Sequence, residues 1–343
     1  MALAGLVAHR NTTTRGPRIK RGDEILEGPY PQSFAEFIGQ DTARTQLLAT
    51  IESAQLRDEP MDHILLASGS PGIGKTALGR LTANLGRAGF IELGGAVTDK
   101  DVLRAVRVMQ DGDVLFLDEV HRLVAGGKAK AEWLLTLLQD GVLQLPTGVV
   151  QVPAITVIAT TTDAQRLPET ILDRFPVKPL LVPYTVAEAV RIAMVTARRL
   201  GFGTDLLPEP SGTDWLIEVA QAGDCNPRRM SGLLTAVRDV ALSTGNGNLT
   251  EDGYDLTVAL QWSGLTRDGL TRGMQDYLVA LYAYGGTAGA GTLKALLTEV
   301  EIALTERHLI QRGYITITPR GRELTDYGME RATLLAHEQG DAA

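Results

Sequence analysis

The chain has 343 residues, of which 44% are hydrophobic, so it is long enough for two or three domains with cores of their own, and no apolar run reaches the length of a membrane span. Its formal charge of -8 argues against a surface coated throughout in nucleic-acid-binding cations. A single cysteine, Cys225, excludes an intramolecular disulfide, and the N-terminus lacks an apolar block with a cleavage site, so a cytoplasmic location is expected.

In chain order, the first 22 residues carry Arg10, Arg15, Arg18, Lys20 and Arg21 and no acid, with little apolar periodicity. Residues 1–28 therefore read as a flexible basic arm. From Phe34 to about Val182, short apolar runs alternate with helix-length segments. His63–Ser68, Phe90–Leu93, Val114–Leu117, Ile155–Thr160 and Val177–Val182 are the expected strands, and Asp41–Leu56 is an expected helix. Short, mostly apolar strands of this kind suit a parallel sheet covered on both faces. This α/β unit is assigned to residues 29–183.

Strand signals then stop. Thr185–Leu200, Ser211–Ala222, Pro227–Ser243 and Thr250–Gln261 look helical, with a turn at Gly245–Asn248, and define an all-helical unit over 184–263. The third unit, 264–332, has helical stretches at Leu270–Tyr284, Thr292–Leu297 and Glu299–Arg312. Tyr314–Thr318, a turn at Pro319–Arg322 and Glu323–Tyr327 then form a hairpin. Three helices followed by a hairpin is the winged-helix order. Residues 333–343 read as a frayed tail.

Three motifs carry chemistry. Gly69-Ser70-Pro71-Gly72-Ile73-Gly74-Lys75-Thr76 matches G-x-x-x-x-G-K-[ST] in full, after an apolar strand and at the start of a helix. Its backbone N–H groups wrap phosphates, Lys75 supplies a cation to the β- and γ-phosphates, and Thr76 offers a hydroxyl to Mg2+. Val114–Leu117 ends in Asp118-Glu119, the pattern in which Asp118 holds Mg2+ and Glu119 orients or deprotonates the attacking water. Ile155–Thr160 ends in hydroxyls, of which Thr162, with Thr161 as the alternative, would bond the γ-phosphate or the water. Arg174, closing a short helix, is a candidate arginine finger for a neighbouring subunit's nucleotide. Arg228 follows Pro227 at a helix start and is the candidate phosphate sensor, with Arg229 able to share the role.

These motifs in this order resemble AAA+ ATPases, and finer matches resemble the RuvB family of Holliday-junction branch-migration motors. The matches are Phe37-Ile38-Gly39-Gln40, Asp118-Glu119-Val120-His121-Arg122-Leu123, His308-Leu309-Ile310-Gln311-Arg312-Gly313-Tyr314 and Thr318-Pro319-Arg320-Gly321-Arg322. The resemblance covers roughly residues 30 to 328. It implies ATP/ADP with Mg2+ as cofactors and a homo-oligomer, a hexameric ring, acting on double-stranded or branched DNA without a membrane. It also implies an adenine pocket lined by Tyr30, Phe37 and Ile38 beside Gly69, Pro71, Gly72, Ile73, Gly74 and Ala77, and DNA-backbone contacts at Arg320 and Arg322. The resemblance is to a divergent member. The hairpin over Gly141–Val152, through which the family grips its partner RuvA, is short here and leaves that partnership an open point. Tyr30-Pro31, Asp163 and Ile317 stand where the family carries basic residues. The alternative is a non-motor AAA+ switch that loads or remodels a protein client.

Overall fold

The computed structural model describes residues 18–28, 30–95, 97–125, 128–145, 148–202, 214–244, 254–294 and 299–340. They divide into two compact units, ending and beginning at Tyr184 and Thr185.

The first unit is built on a parallel sheet. Its strands are β1 (Ile64–Ala67), β2 (Phe90–Leu93), β3 (Val114–Leu117) and β6 (Thr156–Thr161), in spatial order β1-β6-β3-β2. An antiparallel pair, β4 (Val142–Leu145) and β5 (Gly148–Gln151), lies between β3 and β6 in sequence. Every residue of β3 and β6 is buried, as strands covered on both faces must be. Helix α1 (Asp41–Arg57) precedes β1, the crossovers carry α2 (Lys75–Leu85), α3 (Asp99–Val108), α4 (Val120–Val124) and α5 (Lys128–Asp140), and a short α6 (Glu169–Leu172) follows β6. Helix α1 buries Ala43, Leu47, Ile51 and Ala54, one stripe at helical spacing. Helix α3 opens on a capping box in which Thr98 and Asp101 satisfy each other's backbone N–H.

Two expectations for this unit change. Val177–Val182 is not a continuous strand. Only Val177 and Leu180 bridge to β1, and Gln40 fixes the end of the segment, its amide donating to the Val182 carbonyl at 2.7 Å and accepting from its N–H at 3.1 Å. The basic arm also ends earlier than residue 28. Lys20 pairs with Phe90 at the sheet edge, Arg21 makes an ion pair with the buried Asp113 at 3.0 Å, and Ile25 and Leu26 are buried in a 3-10 turn. Ile25 and Leu26 are the apolar residues that tie the segment down. Arg10 and Arg15 lie outside the described residues.

The second unit has two cores in succession. The first is formed by α7 (Val186–Arg199), α8 (Asp214–Ala222), α9 (Pro227–Thr244) and α10 (Tyr254–Trp262) around Ala189, Ala193, Leu216, Val219, Leu234 and Val237. Thr185 and Glu188 form the capping box of α7. The expected turn at Gly245–Asn248 lies outside the described residues. The second core joins α11 (Arg272–Ala283), β7 (Thr287–Ala288), α12 (Ala290–Lys294), α13 (Glu299–Gln311), β8 (Ile315–Thr318), β9 (Gly321–Leu324) and α14 (Asp326–Gly340). Its sheet order is β7-β9-β8, the three-stranded wing. The second hairpin strand begins at Gly321 rather than Glu323, and Asp326 already starts a helix. The expected tail is also corrected: α14 runs to Gly340 because Ala332 and Leu335, three apart, are both buried.

Candidate active site: a phosphate loop beside a strand-end carboxylate cluster

Strand β1 ends at Ala67, the loop turns through Ser68–Gly74, and α2 starts at Lys75. Gly74 has φ 100°, and a Cβ there would lie 2.8 Å from the Phe37 ring, so only glycine lets the loop pass this ring. Tyr184 donates its hydroxyl to the Ile73 carbonyl at 3.1 Å, holding the other side of the loop. Lys75 is buried, and its ammonium donates to Ser68 Oγ at 2.8 Å and the Ser70 carbonyl at 3.3 Å. Thr76 is partly exposed at the first turn of α2, and Ala77 behind it is buried. Of the expected adenine-pocket residues, Phe37 is brought to the loop and Ile38 is half-buried beside it in sequence. Tyr30 instead carries the Arg80 guanidinium over its ring, 4.6 Å from the centroid.

The pairing of β3 with β6 sets Leu117 opposite Ala159. The next residues therefore meet at the carboxyl ends of the strands. Thr160 donates its hydroxyl to Asp118 Oδ1 at 2.7 Å and accepts the Glu119 N–H at 3.1 Å. Thr162 gives both its N–H, at 3.0 Å, and its hydroxyl, at 2.8 Å, to Glu119 Oε2. Thr161 points the other way, is fully buried, and bonds His121 Nδ1 at 2.9 Å. His121 Nδ1 is also 3.2 Å from Glu119 Oε2. Glu119 has φ 52°, a left-handed conformation that turns its carboxylate back to Thr162. The structure thus brings Asp118, Glu119 and Thr162 together, while Thr161, the last residue of β6, reaches the same cluster through His121.

Thr160, His121 and Ser68 belong to this arrangement and were not singled out from the sequence. Thr160 sits one residue before the end of β6 and Thr162 just past it, so the hydroxyl run at the strand end was the available signal. His121 was visible only as part of a motif, and nothing in the sequence marks Ser68.

The arginines divide clearly. Arg174 follows α6; buried Ile171 and Phe175 fix the backbone around it, while its side chain is exposed and has no hydrogen bond or ion pair among the described residues. Arg228, also exposed, likewise has no ion pair among the described residues, whereas Arg229 is paired with Asp224 at 3.0 Å. Both arginines line a pocket of about 340 Å³ within the second unit, along with Ala222, Leu233, Leu265 and Gly269. In the wing, Arg320 is exposed in the turn between β8 and β9. Arg322 is not free in the same way. Its guanidinium makes two bonds to Glu306, at 2.8 and 3.0 Å, and Glu306 also accepts the Tyr277 hydroxyl at 2.8 Å.

A phosphate loop, an Asp-Glu strand end and a polar neighbouring strand on one parallel sheet define a P-loop ATPase domain of the AAA+ type, here followed by a helical lid and a winged helix. Residues 30–181 match the family model described as the Holliday junction DNA helicase RuvB P-loop domain, and residues 267–332 match the RuvB C-terminal winged helix domain. The chain is 35% identical to the Holliday junction branch migration complex subunit RuvB of Granulibacter bethesdensis, over 95% of this chain and 91% of that one. The structure of the Thermotoga maritima RuvB Holliday junction branch migration motor superposes with a TM-score of 0.72 at 27% identity, covering 88% of this chain and 97% of that one. A point mutant of the Thermotoga maritima RuvB gives a TM-score of 0.73 at the same identity, over 89% and 98%. The chain belongs to the RuvB family.

Proposed function

We propose that this chain is the ATP-hydrolysing motor subunit that drives branch migration of Holliday junctions in recombination and repair, working in the cytoplasm as a hexameric ring on double-stranded DNA. The observation that carries the chemistry is the meeting of Asp118, Glu119, Thr160 and Thr162 at the carboxyl ends of β3 and β6. Ligands of open α/β sheets bind outside that edge.

ATP binds with its phosphates in the loop Gly69–Thr76. Lys75 exchanges its neutral acceptors, Ser68 Oγ and the Ser70 carbonyl, for charged phosphate oxygens, which are the stronger partners. Phe37 and Ile38 line the adenine side. Mg2+ suits this donor set, because a nucleotide-borne Mg2+ needs only one or two protein oxygens. Thr76 and Asp118 supply them, and Thr160 fixes one Asp118 oxygen. Bound there, the ion neutralises charge on the phosphates. Glu119 orients the attacking water and takes its proton, with Thr162 aiming the carboxylate. Arg174, exposed and unpaired among the described residues, reaches the nucleotide of the next subunit. Arg228 reports the state of the phosphates. Arg320 contacts the DNA backbone, and Arg322 holds the wing in shape through Glu306. The β4–β5 hairpin is the place where a RuvA-type partner would dock, and Val149 is an exposed apolar residue on it.

The direct test is hydrolysis with and without duplex DNA, and migration of a synthetic four-way junction. Glu119→Gln should retain ATP binding and lose about 10²–10³-fold in kcat. A wild-type protein whose ATPase ignores DNA, and which leaves junctions unmoved, would overturn the reading.

A further inference from the structure

A chain of ion pairs joined by one backbone hydrogen bond runs through the second unit, from the start of α9 in the helical lid to the last helix of the winged domain. Arg229 on α9 donates to Asp224 Oδ2 at 3.0 Å. Arg312, just past α13, holds Asp224 Oδ1 at 2.9 Å and 3.2 Å. The same guanidinium donates to the Asp268 carbonyl at 2.8 Å. The Asp268 carboxylate accepts two bonds from Arg331 on α14, both 2.9 Å, and one from Tyr314 at 2.9 Å. Arg312 is 15% exposed at its side chain and sits at the middle of the chain, with one partner in the lid and one in the connection between the two cores.

The backbone supports the same seam. Asp224 and Cys225 are consecutive non-glycine residues in the left-handed region, with φ of 58° and 48°. Such conformations are costly and persist where surrounding contacts hold them. Here they present Asp224 to both arginines, and Asn226 caps the following helix. The connection is short and closed on itself: Gly269 N–H bonds the Thr266 carbonyl, and Thr266 N–H bonds the Leu270 carbonyl. Gly269 has φ 75°, and a Cβ there would lie 2.7 Å from the Ala222 carbonyl, so the connection rests directly on the end of α8. Leu265 packs against the lid core and Leu270 in the winged core, leaving only the four residues 266–269 between them.

We infer that Arg312 and Asp224 are positioning residues of the motor: they lock the winged helix to the turn that precedes Arg228, so that movement of the lid is delivered to DNA rather than absorbed at the joint. This rests on the function proposed above and adds to it the site of mechanical transmission. Arg228 and Arg229 lie in the first turn of α9, two and three residues past Asn226. A change of phosphate occupancy that moves the start of α9 therefore moves Asp224, and through Arg312 the base of the wing.

The test uses the full-length protein and three readouts: DNA-stimulated ATPase, duplex affinity, and junction product formed per ATP hydrolysed. Arg312→Ala should leave the first two within about twofold and lower product per ATP about tenfold, the size of an ordinary coupling energy. Arg312→Lys, which keeps the charge but not the three-way fork, should fall between. Asp224→Asn tolerates the left-handed turn and keeps an acceptor oxygen facing Arg312, so it provides a folded comparison should Arg312→Ala melt early; it too should lower product per ATP. Unchanged product per ATP in Arg312→Ala and Asp224→Asn would overturn the inference, as would a parallel fall in all three readouts. Wild-type protein with no DNA-stimulated ATPase would remove the functional reading itself, a distinct failure.

Discussion

Glu119 receives both the N–H and the hydroxyl of Thr162, and Asp118 receives the hydroxyl of Thr160, so two threonines at one strand end hold two adjacent carboxylates for which different tasks are proposed. The two should separate kinetically. Thr162→Val should lower kcat about 10–100-fold with ATP affinity within about twofold, because it unaims a group that acts in the transition state. Steady-state hydrolysis across an ATP titration checks this, and a loss confined to Thr161→Val would move the role to the buried neighbour. Arg174→Ala should abolish turnover by about 10³-fold or more while monomers still bind ATP. Its measurement is single-turnover hydrolysis, and a wild-type rate would remove the finger. The sequence displayed the apolar run and the following hydroxyls but left Thr161 and Thr162 open. The choice depends on which residue of β6 stands beside Leu117, and register between strands far apart in sequence is set by the assembled sheet. The contact of Tyr30 with Arg80 was equally invisible, since it joins residues fifty positions apart.

Among the elements, the wing has an internal brace. Arg322 on β9, Glu306 on α13 and Tyr277 on α11 share hydrogen bonds, and burial together with Glu306 pushes the Tyr277 phenol up, so it remains a neutral donor. Arg322→Ala should therefore destabilise the winged core by about 2 kcal/mol, by leaving Glu306 short of its partner. Arg320→Ala, on the exposed turn, should leave stability within about 0.5 kcal/mol. Urea melts of the two variants separate brace from contact. Asp268 gives a second handle. Burial would raise its carboxyl, but the Arg331 fork, Thr266 and Tyr314 overcome that and hold it at about 2, against 3.8 unfolded. Since the folded value is the lower one, its stabilisation is complete above about pH 4 and drains away as pH falls towards 2. Asp268→Asn should cost about 1 kcal/mol at pH 7, solvent screening of the partly open site included, and almost nothing near pH 2. Parallel melts at the two pH values decide it. Most helices were legible in the sequence from their apolar stripes and caps. The exception, the stretch read as a tail, hid its stripe because Ala332 and Leu335 are embedded among His, Glu and Gln.

For the whole molecule, the three-unit order was legible because each unit has its own periodicity: apolar runs, then amphipathic stretches, then helices closing on a hairpin. What was not legible was how tightly the second and third parts are stitched, since the ion pairs join residues up to 88 positions apart and isolated charges along a chain do not announce their partners. Assembly yields its own expectation. Mixing a Lys75→Ala copy with an Arg174→Ala copy should restore part of the activity neither has alone, because a proportion of seams then combine an intact loop with an intact finger. Binding to duplex should weaken with salt, and Arg320→Ala should reduce the slope of log affinity against log salt by about 1 per subunit engaged, equally for all sequences. Thr160, Thr161 and Thr162 bond Asp118, His121 and Glu119 respectively. Were β6 to settle one position out of step, threonines would still fill two of the three places, but one direction of slip sets Ala159 at Asp118 and the other sets Asp163 at Glu119. Either way one of the two adjacent carboxylates loses its hydroxyl, so a molecule mispaired at this strand would be inert rather than a hydrolase running idle.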